Sequence, residues 1–289
     1  MKETVIDLHD LQEHIPFFRS RPGVFLAKKI IKWLAIEKVN RIHASHCHLR
    51  GAAFTSAMLA DPLMNVKYKI HNAERLDSLP EGAFITVSNH PIGSLDGIIL
   101  IDIFASRRPD FKVMVNGVLT NIGAMADNFI SVTPRTDDRD SPNRANVNGV
   151  RLSMEHLKNG HPTGFFPAGA MSFINRQMQV CDLPWAHTVI RLIKKAGVPV
   201  YPVCFDCRNS SFFYLLGKIN WKIRVLRVAY EAFNKRGKTL DVYIGEPIPA
   251  QTVQQFTDDR ELADFLYRKT YDCVKQRIPS EQSVPKLES

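Results

Sequence analysis

The sequence predicts an α/β fold built around one large core. Short apolar, β-branched runs recur at residues 83–87, 111–116, 129–132, 198–203 and 240–244, each the length of a buried strand. Between and after them, residues 97–104, 141–159 and 259–277 carry helical patterns. A chain of 289 residues, 45% of them hydrophobic, is long enough to bury such a core with a small helical region appended.

Composition excludes several classes. The five cysteines are odd in number and widely spread, which argues against a disulfide framework and suits a reducing, cytoplasmic setting. Lys2, Glu3, Asp7 and Asp10 interrupt any leading apolar run, so no signal peptide is expected. No uncharged apolar stretch reaches the roughly 18 residues of a membrane span. A net charge of +9 calls for an anionic partner: a membrane surface, an acidic carrier protein or nucleic acid.

Taken in order, residues 1–75 are expected to form an N-terminal helical region, 76–278 the α/β domain and 279–289 a flexible tail. Residues 22–42 predict a single amphipathic helix with Leu26, Ala27, Ile30, Ile31, Trp33 and Leu34 on one face and Lys28, Lys29 and Lys32 on the flank. Such a helix has two readings, one lying in a lipid interface and one packed on its own domain. His43, His46, Cys47 and His48 crowd four donors into six residues, a spacing that rarely closes a tetrahedral metal site, so no metal is expected. Cys204 and Cys207 form a lone C-x-x-C after a strand and read as structural thiols.

The stretch Ser88–Gly97 (SNHPIGSLDG) carries the chemistry. A buried strand ends there and a buried helix begins, the place where open α/β sheets put ligands. His90 sits at that junction, Pro91 and Gly93 force a turn, and Asp96 is the nearest carboxylate. An imidazole oriented by a carboxylate can serve as a general base; the other reading is a structural histidine at a strand end.

Farther along, the strand over 129–132 runs into Thr133-Pro134-Arg135, with Asp137, Asp138 and Arg139 close behind. The helix over 141–159 opens at Ser141-Pro142 and stops at Asn159-Gly160. A further strand from Thr163 ends in Phe166-Pro167-Ala168-Gly169-Ala170-Met171-Ser172. Residues 209–238 interleave Phe212, Phe213, Tyr214 and Trp221 with Lys218, Lys222, Arg224 and Arg227. Without any accompanying nucleic-acid motif, that mixture favours a membrane or carrier-protein surface.

Four ordered stretches resemble the motifs of the PlsC-like glycerolipid (lysophospholipid) acyltransferase superfamily. Asn89-His90 with Asp96 resembles the first, though five residues separate His and Asp here where the superfamily usually has four. The form His-Pro-x-Gly-x-x-Asp-Gly is similar to a hemolysin-like branch that includes acyltransferases making amino-acid lipids. Arg135 resembles the second motif's arginine, which would bind an anionic head group through its planar donors; pairing with Asp137 or Asp138 is the competing reading, and Arg139 a substitute. Phe166, Pro167, Gly169 and Ser172 keep the third motif, whose usual Glu and Arg are replaced by Ala168 and Met171. Residues 198–203 resemble the fourth, an apolar strand with prolines.

The resemblance implies a mixed central sheet flanked by helices, and a fatty acyl transfer from acyl carrier protein or coenzyme A to a lyso-lipid hydroxyl. His90 would be the base, Asp96 its partner, and Arg135, Phe166, Pro167, Gly169 and Ser172 would line the substrate site. A Gly169 N–H would be placed to meet an oxyanion. Loss of the third motif's Glu and Arg points to a lyso-amino-acid lipid (lyso-ornithine or lyso-glycine lipid) as acceptor, with lysophosphatidate close behind. No cofactor beyond the thioester donor is expected, and the protein would work peripherally at the inner face of a membrane. Two readings of other classes remain: a lipid or thioester hydrolase using the same His/Asp pair, and a non-catalytic basic membrane-binding protein.

Overall fold

The computed structural model describes residues 4–116, 119, 122–132, 144–175 and 177–274. Four helices come first: α1 (Leu8–His14), α2 (Arg21–Trp33), α3 (Ile36–His46) and α4 (Gly51–Ala60). Strand β1 (Lys67–His71) follows, then β2 (Ile85–Ser88), α5 (Ser94–Ala105), β3 (Lys112–Asn116), β4 (Phe129–Val132), α6 (Arg144–Lys158) and β5 (Thr163–Phe165). A two-stranded hairpin, β6 (Phe173–Ile174) and β7 (Val180–Cys181), precedes α7 (His187–Ala196) and β8 (Val200–Asp206). Three short helices, α8 (Ser211–Ile219), α9 (Trp221–Leu226) and α10 (Val228–Phe233), lead to β9 (Thr239–Ile244), α11 (Ala250–Gln254) and α12 (Asp259–Asp272).

Seven strands form one sheet in the order β1-β9-β8-β2-β5-β3-β4. From β8 to β4 all neighbours are parallel; β9 runs antiparallel to β8, and β1 is parallel to β9, so the sheet is mixed. Consecutive residues point to opposite faces of a strand, and the core follows that rule. Phe84 packs with α3, α4 and α5, while its neighbour Ile85 packs with α6, α7 and α12. The result is three layers, helix on sheet on helix.

Helix α5 explains its own sequence. Leu95 to Ala105 are buried all round apart from Gly97, so SLDGIILIDIFA has no polar stripe. Its one mid-helix charge, Asp102, accepts hydrogen bonds from Thr55, Ser56 and Tyr68, as a buried carboxylate must.

The single helix expected over 22–42 is two. Helix α2 stops at Trp33, and Ala35 takes a left-handed φ of 59° before α3 begins. Neither proline nor glycine signals the break, and the conformation costs an alanine roughly 1–2 kcal/mol. Burial of Leu34, Ala35 and Ile42 offsets it by turning α3 back onto the core. The expected apolar face also divides: Ala27, Ile31 and Leu34 are buried, whereas Leu26 and Trp33 are exposed alongside Phe25. Strand β1 lies inside the span expected to be helical, at the edge of the sheet beside β9. Helix α6 begins at Arg144, with 141–143 outside the described residues, and α12 ends at Asp272. The expected tail, 279–289, also lies outside them.

His43 is buried edge-on to Phe54, and the His46 ring lies 2.9 Å from Asp61. Among the described residues no cluster of three or more His, Cys, Asp or Glu is arranged to hold a metal. Burial pushes the thiols of Cys204 and Cys207 up, away from the reactive thiolate.

Candidate active site

Strands β2 and β5 lie side by side, with Val87 opposite Phe165. Because they are parallel, the residues after each strand emerge together at the same end of the sheet. His90 and Phe166 therefore meet: their rings stack with centroids 4.2 Å apart and planes 30° from parallel. Strand β8 flanks β2 on the other side, with Ser88 opposite Val203, so the proline-bearing strand over 198–203 supports this end of β2. Asn89 ties β2 to β8, its amide donating to Phe205 O at 3.0 Å and accepting from Phe205 N at 2.8 Å.

The turn carrying His90 has partners for its backbone on all sides. Asp96, fully buried at the start of α5, accepts the N–H groups of Ile92 and Gly93 at 2.9 Å each through Oδ2. Asn209 donates to the carbonyls of Pro91 and Ile92 at 3.2 and 3.1 Å. The His90 carbonyl accepts from Ser172 N at 2.9 Å. Gly93 takes a φ of 101°, and a Cβ there would sit 2.6 Å from Met171 Sδ, so only glycine fits. That turn accommodates the five-residue spacing between His90 and Asp96.

His90 Nδ1 lies 3.1 Å from Asp96 Oδ2, within ion-pair distance, while its N–H is poorly aligned for a straight hydrogen bond. The imidazole is about one-fifth exposed and the carboxylate fully enclosed. With Nδ1 turned to Asp96, Nε2 is the nitrogen left to meet a substrate.

Of the residues expected in the site, His90, Asp96, Phe166, Pro167, Gly169 and Ser172 come together here. Pro167 is buried and its carbonyl accepts from Ala186 N at 2.8 Å. Gly169 differs from the expectation. Its N–H donates to Phe166 O at 2.9 Å inside the turn, so it is not a free oxyanion donor; glycine is required there for a φ of 64°. Ser172 is fully buried, and its hydroxyl donates to Asp182 Oδ1. Arg135 and Arg139 lie outside the described residues. Met171, where the third motif usually has arginine, is buried in a small apolar cluster with Phe213 and Tyr214 that seats α8 on the loop.

Three polar residues not expected in the site complete the surroundings: Asp182, Asn209 and Arg224, the last expected only as a surface cation. Asp182 accepts from Ser172 and, at 3.4 Å, from His90 N, tying the two loops together. Burial pushes its carboxyl up from the usual range, while the Ser172 hydrogen bond and the nearby His90 pull it back. Arg224 of α9 reaches the same loop from the other side. These residues follow His90 by 92 or more positions, and only the fold brings them to it.

A family model described as Acyltransferase matches residues 10–278. A lyso-glycine lipid O-acyltransferase of Bacteroides thetaiotaomicron is 32% identical over 226 residues, 75% of this chain and 78% of that protein. A protein of the same name from Phocaeicola vulgatus is 32% identical over 206 residues, 68% of this chain and 70% of its own. Among solved structures, the 1-acyl-sn-glycerophosphate (LPA) acyltransferase PlsC from Thermotoga maritima aligns with 88% of this chain and 90% of its own, at a TM-score of 0.48 and 16% identity. With the family match running through nearly the whole chain and across the His90 turn, this protein is an acyltransferase and belongs to the acyltransferase family whose model it matches, together with its lyso-glycine lipid O-acyltransferase relatives.

Proposed function

We propose that this protein transfers a fatty acyl group from an acyl thioester, carried by acyl carrier protein or coenzyme A, to the hydroxyl of a lyso-lipid with an acidic head group. The observation that carries the proposal is His90 at the carboxyl end of β2, with Nδ1 turned to a buried carboxylate and its ring braced on Phe166. His90 Nε2 takes the hydroxyl proton as the oxygen attacks the thioester carbonyl. A C–O bond forms, the C–S bond breaks, and the proton passes on to the departing thiolate. Base catalysis of this kind contributes roughly 10² to 10⁴ in rate. Asp96 holds the turn and offsets the charge that His90 gains.

A lyso-amino-acid lipid, lyso-glycine lipid foremost, is the favoured acceptor. Relatives at 32% identity carry that name. The loop after β5 presents Ala168 and Met171, both buried, in place of the polar pair that would suit a glycerol phosphate. Arg135 remains a proposed contact to the head group.

Two surface stretches support docking on an anionic membrane. Residues 15–33 hold Arg19, Arg21, Lys28, Lys29 and Lys32 and no acid; residues 211–230 hold Lys218 and Lys222 and no acid, besides Arg224 and Arg227, whose side chains pack into the protein. Both expose large apolar side chains, among them Phe17, Phe25 and Trp33 in the first and Phe212, Ile219 and Leu226 in the second. They adjoin at Arg227, whose guanidinium lies 4.8 Å from the Trp33 ring, 5.6 Å from Phe212 and 3.7 Å from Tyr230. No helix among the described residues is long and apolar enough to cross a membrane, so the association would be peripheral, and a cytosolic thioester donor would place it at the inner face.

The test is acyl transfer by purified protein from labelled acyl carrier protein and acyl-CoA to lyso-glycine lipid, lysophosphatidate and water, with His90→Ala as control. A diacyl product that vanishes in the variant supports the proposal. Free fatty acid alone would establish a hydrolase instead.

A further inference from the structure

Arg224 is a cation in an unusual position. Its Nη1 donates to Ser172 O at 3.2 Å and its Nη2 to Met171 O at 3.4 Å, while the guanidinium lies 5.4 Å from the centre of the Phe213 ring. Among the described residues it forms no ion pair with a carboxylate. Burial makes its charge costly, yet a guanidinium does not give up its proton. Helix α8 makes room for it: a Cβ at Gly217 would fall 2.7 Å from Arg224 Cδ. Both carbonyls it grips belong to the loop after β5, and Ser172 N is bonded to His90 O at 2.9 Å. A partly buried positive charge with only neutral partners among the described residues is thus hydrogen-bonded to the same Ser172 backbone that holds the His90 carbonyl.

We propose that Arg224 is the subsite for the acceptor's head-group carboxylate, standing in from α9 for the arginine that the loop lacks at Met171. The assignment rests on the acyl-transfer reading for what the carboxylate belongs to. A guanidinium has five N–H donors and two of them face carbonyls here, which leaves donors for an anion. One charge so placed matches a carboxylate better than a phosphate monoester carrying close to two. In an N-(3-hydroxyacyl) amino acid the carboxylate lies about two residues' length of chain, roughly 7 Å, from the reacting hydroxyl. With the charge at one end and His90 at the other, the hydroxyl is aligned by its own head group.

The test titrates N-(3-hydroxyoctanoyl)glycine, its methyl ester and short-chain lysophosphatidate calorimetrically into the full chain. Wild type, Arg224→Gln and Gly217→Ala are compared, each checked for its melting temperature. Wild type should bind the acid at least tenfold more tightly than the ester. Arg224→Gln should bring the acid down to the ester's level and leave the ester unchanged. Gly217→Ala, which keeps the charge and displaces it, should weaken the acid selectively. Equal binding of acid and ester by wild type would overturn the proposal, as would a loss in Arg224→Gln that falls equally on both, the mark of a residue that only props the loop. Tighter, Arg224-dependent binding of lysophosphatidate would overturn the carboxylate assignment. Arg224-dependent binding of the acid with no acyl transfer by wild type would sink the proposed function and leave the subsite standing. Acyl transfer that Arg224→Gln performs with an unchanged KM for the acid would do the reverse.

Discussion

Asp96 has two jobs that two substitutions can separate. Its Oδ2 accepts two backbone N–H groups of the His90 turn at 2.9 Å each and lies 3.1 Å from the imidazole. Asp96→Ala removes the acceptor from both donors in a buried turn. Each orphaned group costs about 1–3 kcal/mol, so the pair costs about 2–6 kcal/mol. At about 2–4 °C per kcal/mol for a chain somewhat smaller than this, the melting temperature should fall by roughly 4–24 °C. Asp96→Asn keeps an oxygen for both N–H groups and loses only the charge assistance, about 1–2 kcal/mol in all, or a few degrees. Its catalytic loss is the larger effect, because the imidazole no longer has an anion to orient it and to balance its positive form. We expect acyl transfer to drop about 100-fold, within the range of a general base. Thermal melts followed by circular dichroism, paired with the acyl-transfer assay, read both quantities. An Asp96→Asn enzyme that transfers acyl groups within threefold of wild type would refute the orienting role. An Asp96→Ala protein that melts no lower than Asp96→Asn would refute the structural one.

Three further outcomes follow from the same geometry. Gly93→Ala should cost about 2–5 kcal/mol, combining left-handed strain with overpacking against Met171, and should lower activity because the His90 turn shifts; an unchanged melting temperature would contradict this. Asp182 is pushed up by burial, so its contribution to stability is full below the usual carboxylate pKa of about 3.9 and is lost as pH rises through the raised native value. The melting temperature of Asp182→Asn should therefore gain on wild type as pH is raised from acid to neutral, and a difference that stays constant with pH would count against the buried, raised carboxyl. Ile219→Ser with Leu226→Ser should weaken binding to vesicles of phosphatidylcholine and phosphatidylglycerol by about 3 kcal/mol, roughly a hundredfold, if both side chains enter the lipid. Co-sedimentation equal to wild type would exclude that face from the membrane contact.

What the sequence by itself determined is whatever its neighbours along the chain could determine. His90 and Asp96 are six positions apart, so one strand, one turn and one helix start are enough to bring them together, and Gly93 announces the turn. The loop after β5 was legible for the same reason: Phe166, Pro167 and Gly169 are conformational punctuation that reads locally. Alternating and continuous apolar runs likewise marked the central strands. Tertiary structure decided the rest. Ala35 breaks a helix that its local sequence favours, because burying Leu34 and Ile42 outweighs one strained alanine. Leu26 and Trp33 face outwards although a helical wheel groups them with buried residues, since the core accepts a narrower stripe than hydrophobicity suggests. Gly169 looked like a free donor until its turn closed on Phe166 O. Asp182 and Asn209 carry no local mark at all, and Arg224 was marked only as one cation of a mixed aromatic and basic stretch, because a buried carboxylate, a buried amide and a partly buried guanidinium acquire their roles only from what the sheet places opposite them.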